Sequence, residues 1–244
     1  NKRVNITDVN YINRATKGVY ELGSVFKTFT LAAGFHEGVI EPNTEFKDLE
    51  KSIRCGKNTI NEYDKKIPSS LTAEQILIRS GNIGSVRIAQ AIGLEKFSRF
   101  MNELSLINPI QFDIKEVGVP ITFKWGKCKL ATASYGHGIT TTILQLSNAY
   151  SIIVNGGYKI NPSLVKKVKS LKPKKILKND VSDKINPILR KIVNTTEGTA
   201  SLANIEGYEV GGKTGTAQKS VAGGYSNNKI NTFVSVFPSS SPKF

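Results

Sequence analysis

The hydrophobic positions of the chain follow helical spacing over most of its length and strand-like runs near its end. From Ser24 to Phe35 they recur so densely that the pattern predicts a helix buried on most sides. Helical patterns also cover Thr72 to about Ile78, Asn82 to Ile92, Glu95 to Ile107, Thr142 to Val154 and Ser182 to Asn194. Thr72 and Thr142 each precede a glutamine by three residues, the spacing of a capping box at a helix start.

The last third of the chain favours strands. Ser163 to Val168 is one β-prone run, and Tyr208 to Lys219 and Ile230 to Phe237 are two more, separated by Gly-Gly and Asn-Asn turn signals. The segment from Val39 to Ser70 is polar and turn-rich, which predicts an excursion over the surface. We therefore expect one α+β domain over residues 1–244, with helices packed on an antiparallel sheet.

The composition and net charge limit the classes of partner that the chain is expected to bind. The 244 residues include 34 Lys and Arg against 19 Asp and Glu, and the net charge of +15 would suit an anionic polymer such as nucleic acid. The basic residues are scattered, however, except between Lys166 and Lys175, and no zinc-finger or RNA-binding motif occurs. We expect that stretch to be a solvated edge strand and loop, and we expect no nucleic-acid partner. A basic nucleic-acid-binding module is the distant alternative.

Cysteine and histidine usage gives no sign of a metal site. Cys55 and Cys128 are too few for a disulfide framework, and together with His36 and His137 they do not form a zinc-ligand spacing. The sequence leaves open whether the two cysteines pair. We expect no metal and no cofactor. No apolar run approaches the roughly 20 residues that span a bilayer, so a membrane anchor would lie outside this segment.

Three short motifs stand in a fixed order along the chain. They are Ser24-Val25-Phe26-Lys27, Ser80-Gly81-Asn82 and Lys213-Thr214-Gly215-Thr216. The first two patterns also occur elsewhere, at Ser163 to Lys166, Ser240 to Lys243 and Ser226 to Asn228, but only the copies at Ser24 and Ser80 have helical contexts. The ordered triple is typical of serine enzymes that act on penicillin-like acyl groups.

The spacing of the first motif predicts a nucleophile and its base. A serine hydroxyl needs a base near neutral pH, and three residues of helix place Lys27 on the same face as Ser24. Lysine is a base only when neutral, a form favoured by burial and by a second cation, for which Lys213 is the candidate. We expect Ser80 to link the two lysines and to carry the proton to the leaving amine. The predicted catalytic residues are Ser24, Lys27, Ser80 and Lys213.

The third motif and Asn82 predict the substrate-binding side. Thr214 and Thr216 offer hydroxyls to a carboxylate near Lys213, and Gly215 lets a substrate backbone lie close to the strand. We expect Asn82 to hold an amide of the acyl donor. The oxyanion would be held by backbone N–H groups, those of Ser24 and Thr216. The predicted substrate-binding residues are Asn82, Thr214, Gly215 and Thr216.

These motifs and their surroundings resemble the transpeptidase domain of class B penicillin-binding proteins, the septal cell-division type above all. The resemblance extends over nearly the whole chain and includes Asn13 to Ala15, Val19 to Ser24, Tyr135 to Ile139, Leu144 to Leu146 and Glu197 to Ala200. It implies a peptidoglycan D,D-transpeptidase that attacks the D-alanyl-D-alanine end of a donor stem peptide. The acyl group would pass to the amine of an acceptor stem peptide, and β-lactams would trap Ser24 as an acyl-enzyme.

The resemblance also implies a location and partners. The family works on the periplasmic face of the bacterial inner membrane, which here implies an anchoring segment outside this chain, with a glycosyltransferase and other division proteins as partners. A Cys55–Cys128 disulfide would be compatible with that oxidising compartment. In two respects the sequence departs from the family. Gly81 stands where a second serine is frequent, and the opening strand and the closing strand and helix of the family's sheet are not recognised.

Related functions share the three motifs. A class A β-lactamase adds a glutamate in an E-x-x-L-N pattern, and the nearest match, at Glu103, has the wrong spacing. A penicillin-sensing receptor domain or a carboxypeptidase would also carry the motifs. A comparison of acyl transfer to an acceptor with plain hydrolysis distinguishes them from a transpeptidase. Outside the motifs, we expect His137 to shape a loop, and Trp125, Tyr135 and Tyr225 to be core or rim residues.

Overall fold

The computed structural model describes residues 9–121, 123–166, 173–178, 180–221 and 224–244. Within them the helices are α1 Lys27–Glu37, α2 Ala73–Ile78, α3 Asn82–Ile92, α4 Leu94–Glu103, α5 Lys127–Ala133, α6 Ile143–Val154 and α7 Asp180–Asn194. The strands are β1 Val19–Tyr20, β2 Glu45–Phe46, β3 Ser52–Cys55, β4 Asn58–Asn61, β5 Leu71–Thr72, β6 Thr141–Thr142, β7 Tyr158–Lys159, β8 Lys174–Lys175, β9 Gly211–Val221 and β10 Gly224–Val236. Short 3-10 turns cover Val9–Tyr11, Gly23–Phe26 and Ser201–Ala203.

The starts of α2 and α6 are determined by local capping chemistry. Thr72 and Thr142 are N-caps, and each forms the predicted capping box with the glutamine three residues later. The bounds of α3 are those predicted. α4 ends at Glu103, earlier than the predicted Ile107, and Ser105 just beyond it adopts a positive φ of 57°, which does not continue a right-handed helix.

The strand predicted over Ser163 to Val168 is wrong for residues 163–166, and residues 167 and 168 lie outside the described part of the chain. The Ser163 hydroxyl donates to the Val165 carbonyl at 2.9 Å, and Leu164 N–H donates to an Asp113 carboxylate oxygen at 2.6 Å. Such local bonds compete with a strand ladder. The strands here are instead β7 and β8, which pair with each other, and the β8 lysines of the basic stretch are exposed.

The two long C-terminal strands pair as a hairpin, as predicted. β9 and β10 run antiparallel from Gly211 opposite Val236 to Val221 opposite Gly224, with an irregularity between Tyr225 and Lys229. All strand pairs among the described residues are antiparallel, and helix α7 packs against β9. The fold is therefore α+β, as the sequence predicts.

Helix α1 lies at the centre of the core. It packs against α2, α3, α4 and α7, and nearly all of its residues are buried. Tyr150 of α6 stacks edge-on against Phe29, and its hydroxyl donates to the Val25 carbonyl and accepts from the Thr28 hydroxyl, both at 2.8 Å. These contacts fix the turn that carries Ser24.

The polar segment from Val39 to Ser70 contains short strands tied to the helical core. Hairpin β3–β4 lies within it, and a disulfide joins Cys55 of β3 to Cys128 of α5, with the two Cα atoms 5.5 Å apart. The sequence left open whether these two cysteines pair, and the structure shows that they do. None of the helices in the described ranges has the length and apolar character needed to cross a bilayer.

Candidate active site

The three motifs converge on one cleft of about 600 Å³. The turn Gly23–Phe26, the α2–α3 junction, strand β9 and the loop from Tyr135 to His137 form its walls. Six of the eight predicted site residues line it, namely Ser24, Ser80, Asn82, Thr214, Gly215 and Thr216. The other two, Lys27 and Lys213, are buried.

Ser24 lies in the 3-10 turn that leads directly into α1. Its side chain is half-buried and lines the cleft, while Val25 and Phe26 are fully buried in the core. Gly23 has a φ of 63°, and a Cβ on it would lie 2.4 Å from the carbonyl oxygen of Thr216. Only glycine combines that backbone conformation with so close an approach, so Gly23 allows the Ser24 turn to pack against β9.

Ser80 stands between the two lysines. Its hydroxyl oxygen lies 3.1 Å from Lys27 Nζ and 3.0 Å from Lys213 Nζ. Lys27 also donates to the Ser80 carbonyl, and Lys213 donates to the Thr214 carbonyl at 2.9 Å. Within the described part of the chain no hydrogen bond joins Lys27 to the Ser24 hydroxyl. The structure therefore confirms the predicted Lys27–Ser80–Lys213 linkage and does not show the Ser24–Lys27 contact.

Burial lowers the pKa of both lysines. Lys27 and Lys213 are 2% and 0% exposed. Desolvation lowers the pKa of Lys27 to about 7, against a smaller opposing effect of the Glu62 carboxylate. Desolvation, reinforced by the neighbouring Lys27, holds the pKa of Lys213 well below its ordinary value. Lys27 can therefore be neutral near physiological pH, as a general base must be.

Asn82 is the first residue of α3, immediately after the Ser80 turn. Its side-chain amide donates to the Asn61 carbonyl at 2.8 Å, and the residue remains half-buried at the cleft wall. Its amide oxygen is the part of the side chain that can accept a bond from a ligand N–H.

Strand β9 supplies the wall opposite Ser80. Thr214 donates its hydroxyl to Thr199 at 2.9 Å, and Thr216 donates to the Asn231 side-chain oxygen at 3.2 Å, so both hydroxyl oxygens have fixed positions. A Cβ on Gly215 would lie 2.4 Å from the Leu22 carbonyl oxygen. The structure thus gives Gly215 a packing role against the Ser24 turn, beside the substrate approach expected from the sequence.

Comparison with known proteins identifies the chain. The family model for the penicillin binding protein transpeptidase domain matches residues 1–244. The chain belongs to this family. A probable peptidoglycan D,D-transpeptidase FtsI from Caulobacter vibrioides is 30% identical over 99% of the chain, and stage V sporulation protein D of Bacillus subtilis is 30% identical over 91%. The chain spans only 42% and 37% of those two relatives.

The comparison with solved structures supports the same family. The transpeptidase domain of penicillin-binding protein 3 from Burkholderia pseudomallei superposes with a TM-score of 0.86 at 25% identity, over 94% of this chain and 70% of that one. The fold is that of a penicillin-binding-protein transpeptidase domain, as the resemblance implied.

Several residues of this transpeptidase domain that shape the cleft lie outside the three motifs. The buried carboxylate of Glu21 accepts bonds from Gly138 N–H at 2.8 Å and from the Tyr225 hydroxyl at 2.9 Å, and lies 3.7 Å from His137 Nδ1. The His137 ring stacks parallel to Tyr135, with centroids 6.1 Å apart. These contacts suit the loop-shaping role predicted for His137. Because the contacting residues lie far apart along the chain, no spacing pattern in the sequence reveals them.

An ion pair also lines the cleft of the transpeptidase domain. Arg79, which directly precedes Ser80, pairs with Glu197, and Thr199 near Glu197 bonds Thr214. Tyr135 lines the cleft too, whereas Trp125 packs edge-on against Phe97 and Phe123.

The second copies of the motifs stay away from this cleft. Ser163, Ser226 and Ser240 do not line it. Ser240 bonds a Glu209 carboxylate near the end of the chain. Within the described ranges no group of three or more His, Cys, Asp or Glu residues could hold a metal ion.

Proposed function

We propose that this chain is the catalytic domain of a peptidoglycan D,D-transpeptidase, in which Ser24 forms an acyl-enzyme with the D-alanyl-D-alanine end of a donor stem peptide. The observation that carries the proposal is the Ser80 hydroxyl, held between the side chains of Lys27 and Lys213 in the cleft that Ser24 lines. This arrangement supplies a nucleophile, a base and a proton relay.

Acylation begins with proton transfer from Ser24 to neutral Lys27. The Ser24 oxygen bonds to the donor carbonyl carbon, and the carbonyl electron pair moves to its oxygen, which the backbone N–H groups of Ser24 and Thr216 stabilise. The contact between Ser24 and Lys27, which the structure does not show, is expected to form when the donor binds. When the tetrahedral intermediate collapses, the bond to the terminal D-alanine nitrogen breaks, and the proton returns from Lys27 through Ser80 to that nitrogen.

Deacylation repeats these steps in reverse with a new nucleophile. The amine of an acceptor stem peptide attacks the Ser24 ester, loses a proton through Ser80 to Lys27, and forms the cross-link as the Ser24 oxygen regains its proton. In a water-filled site hydrolysis would compete with this transfer, so the outcome depends on acceptor binding.

The donor carboxylate is placed by the β9 wall. Lys213, Thr214 and Thr216 form a group that binds an anion by charge and by hydroxyl hydrogen bonds. A bound carboxylate favours the protonated form of Lys213, and a charged Lys213 in turn favours the neutral form of Lys27. Binding of the donor therefore promotes the base that acylation needs. Asn82 holds a backbone amide of the donor on the other side.

The biological setting belongs to the same proposal. We place the domain, residues 1–244, in a longer protein on the periplasmic face of the inner membrane, anchored by a segment outside this chain. Its partners are donor and acceptor stem peptides, a glycosyltransferase and other septal division proteins, and β-lactams acylate Ser24. The similarity to relatives named FtsI supports this setting.

A transfer assay tests the proposal against the related functions. The chain is incubated with a donor peptide that ends in D-alanyl-D-alanine and with an amine acceptor, and the cross-linked and hydrolysed products are separated. We expect a cross-linked product that is lost in Ser24→Ala. Hydrolysis of the donor peptide without cross-linking would indicate a carboxypeptidase, and rapid turnover of penicillin would indicate a β-lactamase. A stable penicillin adduct without peptide turnover would indicate a sensor.

A further inference from the structure

Helix α3, which comes directly after the Ser80 turn, has no capping side chain of its own. Its N-cap residue is Gly81, and the carboxylate of Glu62 takes over the capping role. Glu62 Oε2 accepts from Asn82 N–H at 2.7 Å, and Oε1 accepts from Ile83 N–H at 2.8 Å. A carboxylate at this position satisfies two otherwise free N–H groups and interacts favourably with the helix dipole.

The conformation of Ser80 is fixed from both sides, by the end of α2, where the Ser80 N–H donates to the Leu77 carbonyl at 3.2 Å, and by the residues that follow it. Its φ of 58° lies in the left-handed region, which is strained for a residue other than glycine or asparagine. Such a conformation persists only where its neighbours fix it. Gly81 is held by its N–H bond to the Ile76 carbonyl at 2.8 Å, and Asn82 and Ile83 are held by Glu62.

Glu62 is itself placed by the hairpin β3–β4. It comes directly after β4, its N–H donates to the Lys51 carbonyl at 3.2 Å, and the neighbouring Asn61 carbonyl accepts from the Asn82 side chain. The Cys55–Cys128 disulfide fastens the same hairpin to α5. The position of the capping carboxylate is therefore fixed by the hairpin on one side and by α3 on the other.

Glu62 also supplies negative charge near the base. Burial lowers the pKa of Lys27, and among the described ionisable groups the Glu62 carboxylate opposes this and raises it, while Lys27 in turn lowers the pKa of Lys213 on the β9 side. Removal of the Glu62 charge favours neutral Lys27.

We infer that Glu62 is a positioning residue for acyl transfer, because its carboxylate holds the Ser80 turn in the conformation that keeps the Ser80 hydroxyl between Lys27 and Lys213. This inference rests on the proposed function for its chemistry. The geometry that it predicts can be observed independently of activity.

The test compares Glu62→Gln with Glu45→Gln, an exposed carboxylate outside the cleft that pairs with Lys47. The second-order rate of acylation by a fluorescent penicillin is measured across the pH range around the Lys27 pKa. Glutamine offers one acceptor oxygen where two are needed, so we expect the plateau rate of Glu62→Gln to fall about tenfold or more. Because the charge is lost as well, the inflection should move to lower pH. Glu45→Gln should match the wild type.

A crystal structure of Glu62→Gln supplies the second readout. We expect the Ser80 hydroxyl to leave hydrogen-bond distance of at least one lysine. An unchanged plateau rate, an unmoved inflection, or a Ser80 hydroxyl still bonded to both lysines would overturn the inference. If the wild-type chain is not acylated at all, the proposed function fails. The position of the Ser80 hydroxyl in the Glu62→Gln structure then still tests whether Glu62 positions Ser80.

Discussion

Lys27 and Lys213 approach the same oxygen atom, the Ser80 hydroxyl, at 3.1 and 3.0 Å. Both side chains are removed from solvent. Two like charges buried beside the same oxygen atom repel each other, so the neutral form of each lysine is favoured. The protonation of this pair should therefore govern both the activity and the stability of the domain.

Acylation should depend on the neutral form of Lys27. Since the pKa of Lys27 is lowered to about 7, the acylation rate should rise with pH through about 7 and then level off. Stopped-flow measurement with a reporter penicillin gives this profile. Lys27→Ala should lower the rate about 100-fold or more at every pH. A flat profile in the wild type, or near-normal acylation of Lys27→Ala, would contradict the role of Lys27.

The same shift makes stability depend on pH. The folded-state pKa of Lys27 is below its ordinary value of 10.5, so between pH 7 and 10.5 the unfolded chain binds the proton and the folded chain does not. The free energy of unfolding therefore rises with pH in this window, by at most about 1.4 kcal/mol per pH unit from this residue.

Lys27→Met, which keeps a similar apolar stem, isolates this contribution. Denaturant unfolding at several pH values should show the stability of the variant rising less steeply with pH than that of the wild type. Parallel curves for the two proteins would show that Lys27 is not buried in its neutral form.

A methyl group on Gly215 should separate β9 from the Ser24 turn. Its Cβ would lie 2.4 Å from the Leu22 carbonyl, whereas a Cβ on Gly126 would meet nothing within 4 Å. Gly215→Ala should slow acylation about tenfold or more and lower the melting temperature. Gly126→Ala is the matched control and should change neither quantity by a comparable amount. Equal behaviour of the two variants would argue against close packing at Gly215.

The disulfide should stabilise the hairpin that carries Glu62. It joins Cys55 to Cys128 across a sequence separation of 73 residues, and loss of such a bridge costs about 2 to 5 kcal/mol. Thermal unfolding with and without a reductant should show the wild type losing stability. The double variant Cys55→Ser/Cys128→Ser should be insensitive to the reductant, and a wild type with the same insensitivity would mean that the bridge is not formed.

The sequence predicted those parts of the fold that local chemistry determines. The capping boxes at Thr72 and Thr142 mark helix starts, and Gly93 marks the end of α3, because each feature acts within one helical turn. The strand expected from Ser163 failed because the bond from Leu164 to the Asp113 side chain stabilises a different local conformation.

The motifs predicted the residues that meet at Ser80 but not those that hold them in place. Glu62 caps α3 from another element, and Glu21 bonds Gly138 and Tyr225 from distant parts of the chain. Isolated glutamates at such separations carry no spacing signal, since only the folded chain brings them to their partners. The pairing of Cys55 with Cys128 could not be deduced for the same reason.

Ser24 as the acylated nucleophile is the claim on which the proposed chemistry depends. The most direct measurement is the intact mass of the purified chain after incubation with penicillin, followed over hours beside Ser24→Ala, with peptide mapping of any adduct. We expect one long-lived penicilloyl adduct on Ser24 and none on the variant. A folded wild-type chain that remains unmodified, or an adduct that persists in Ser24→Ala, would contradict that role.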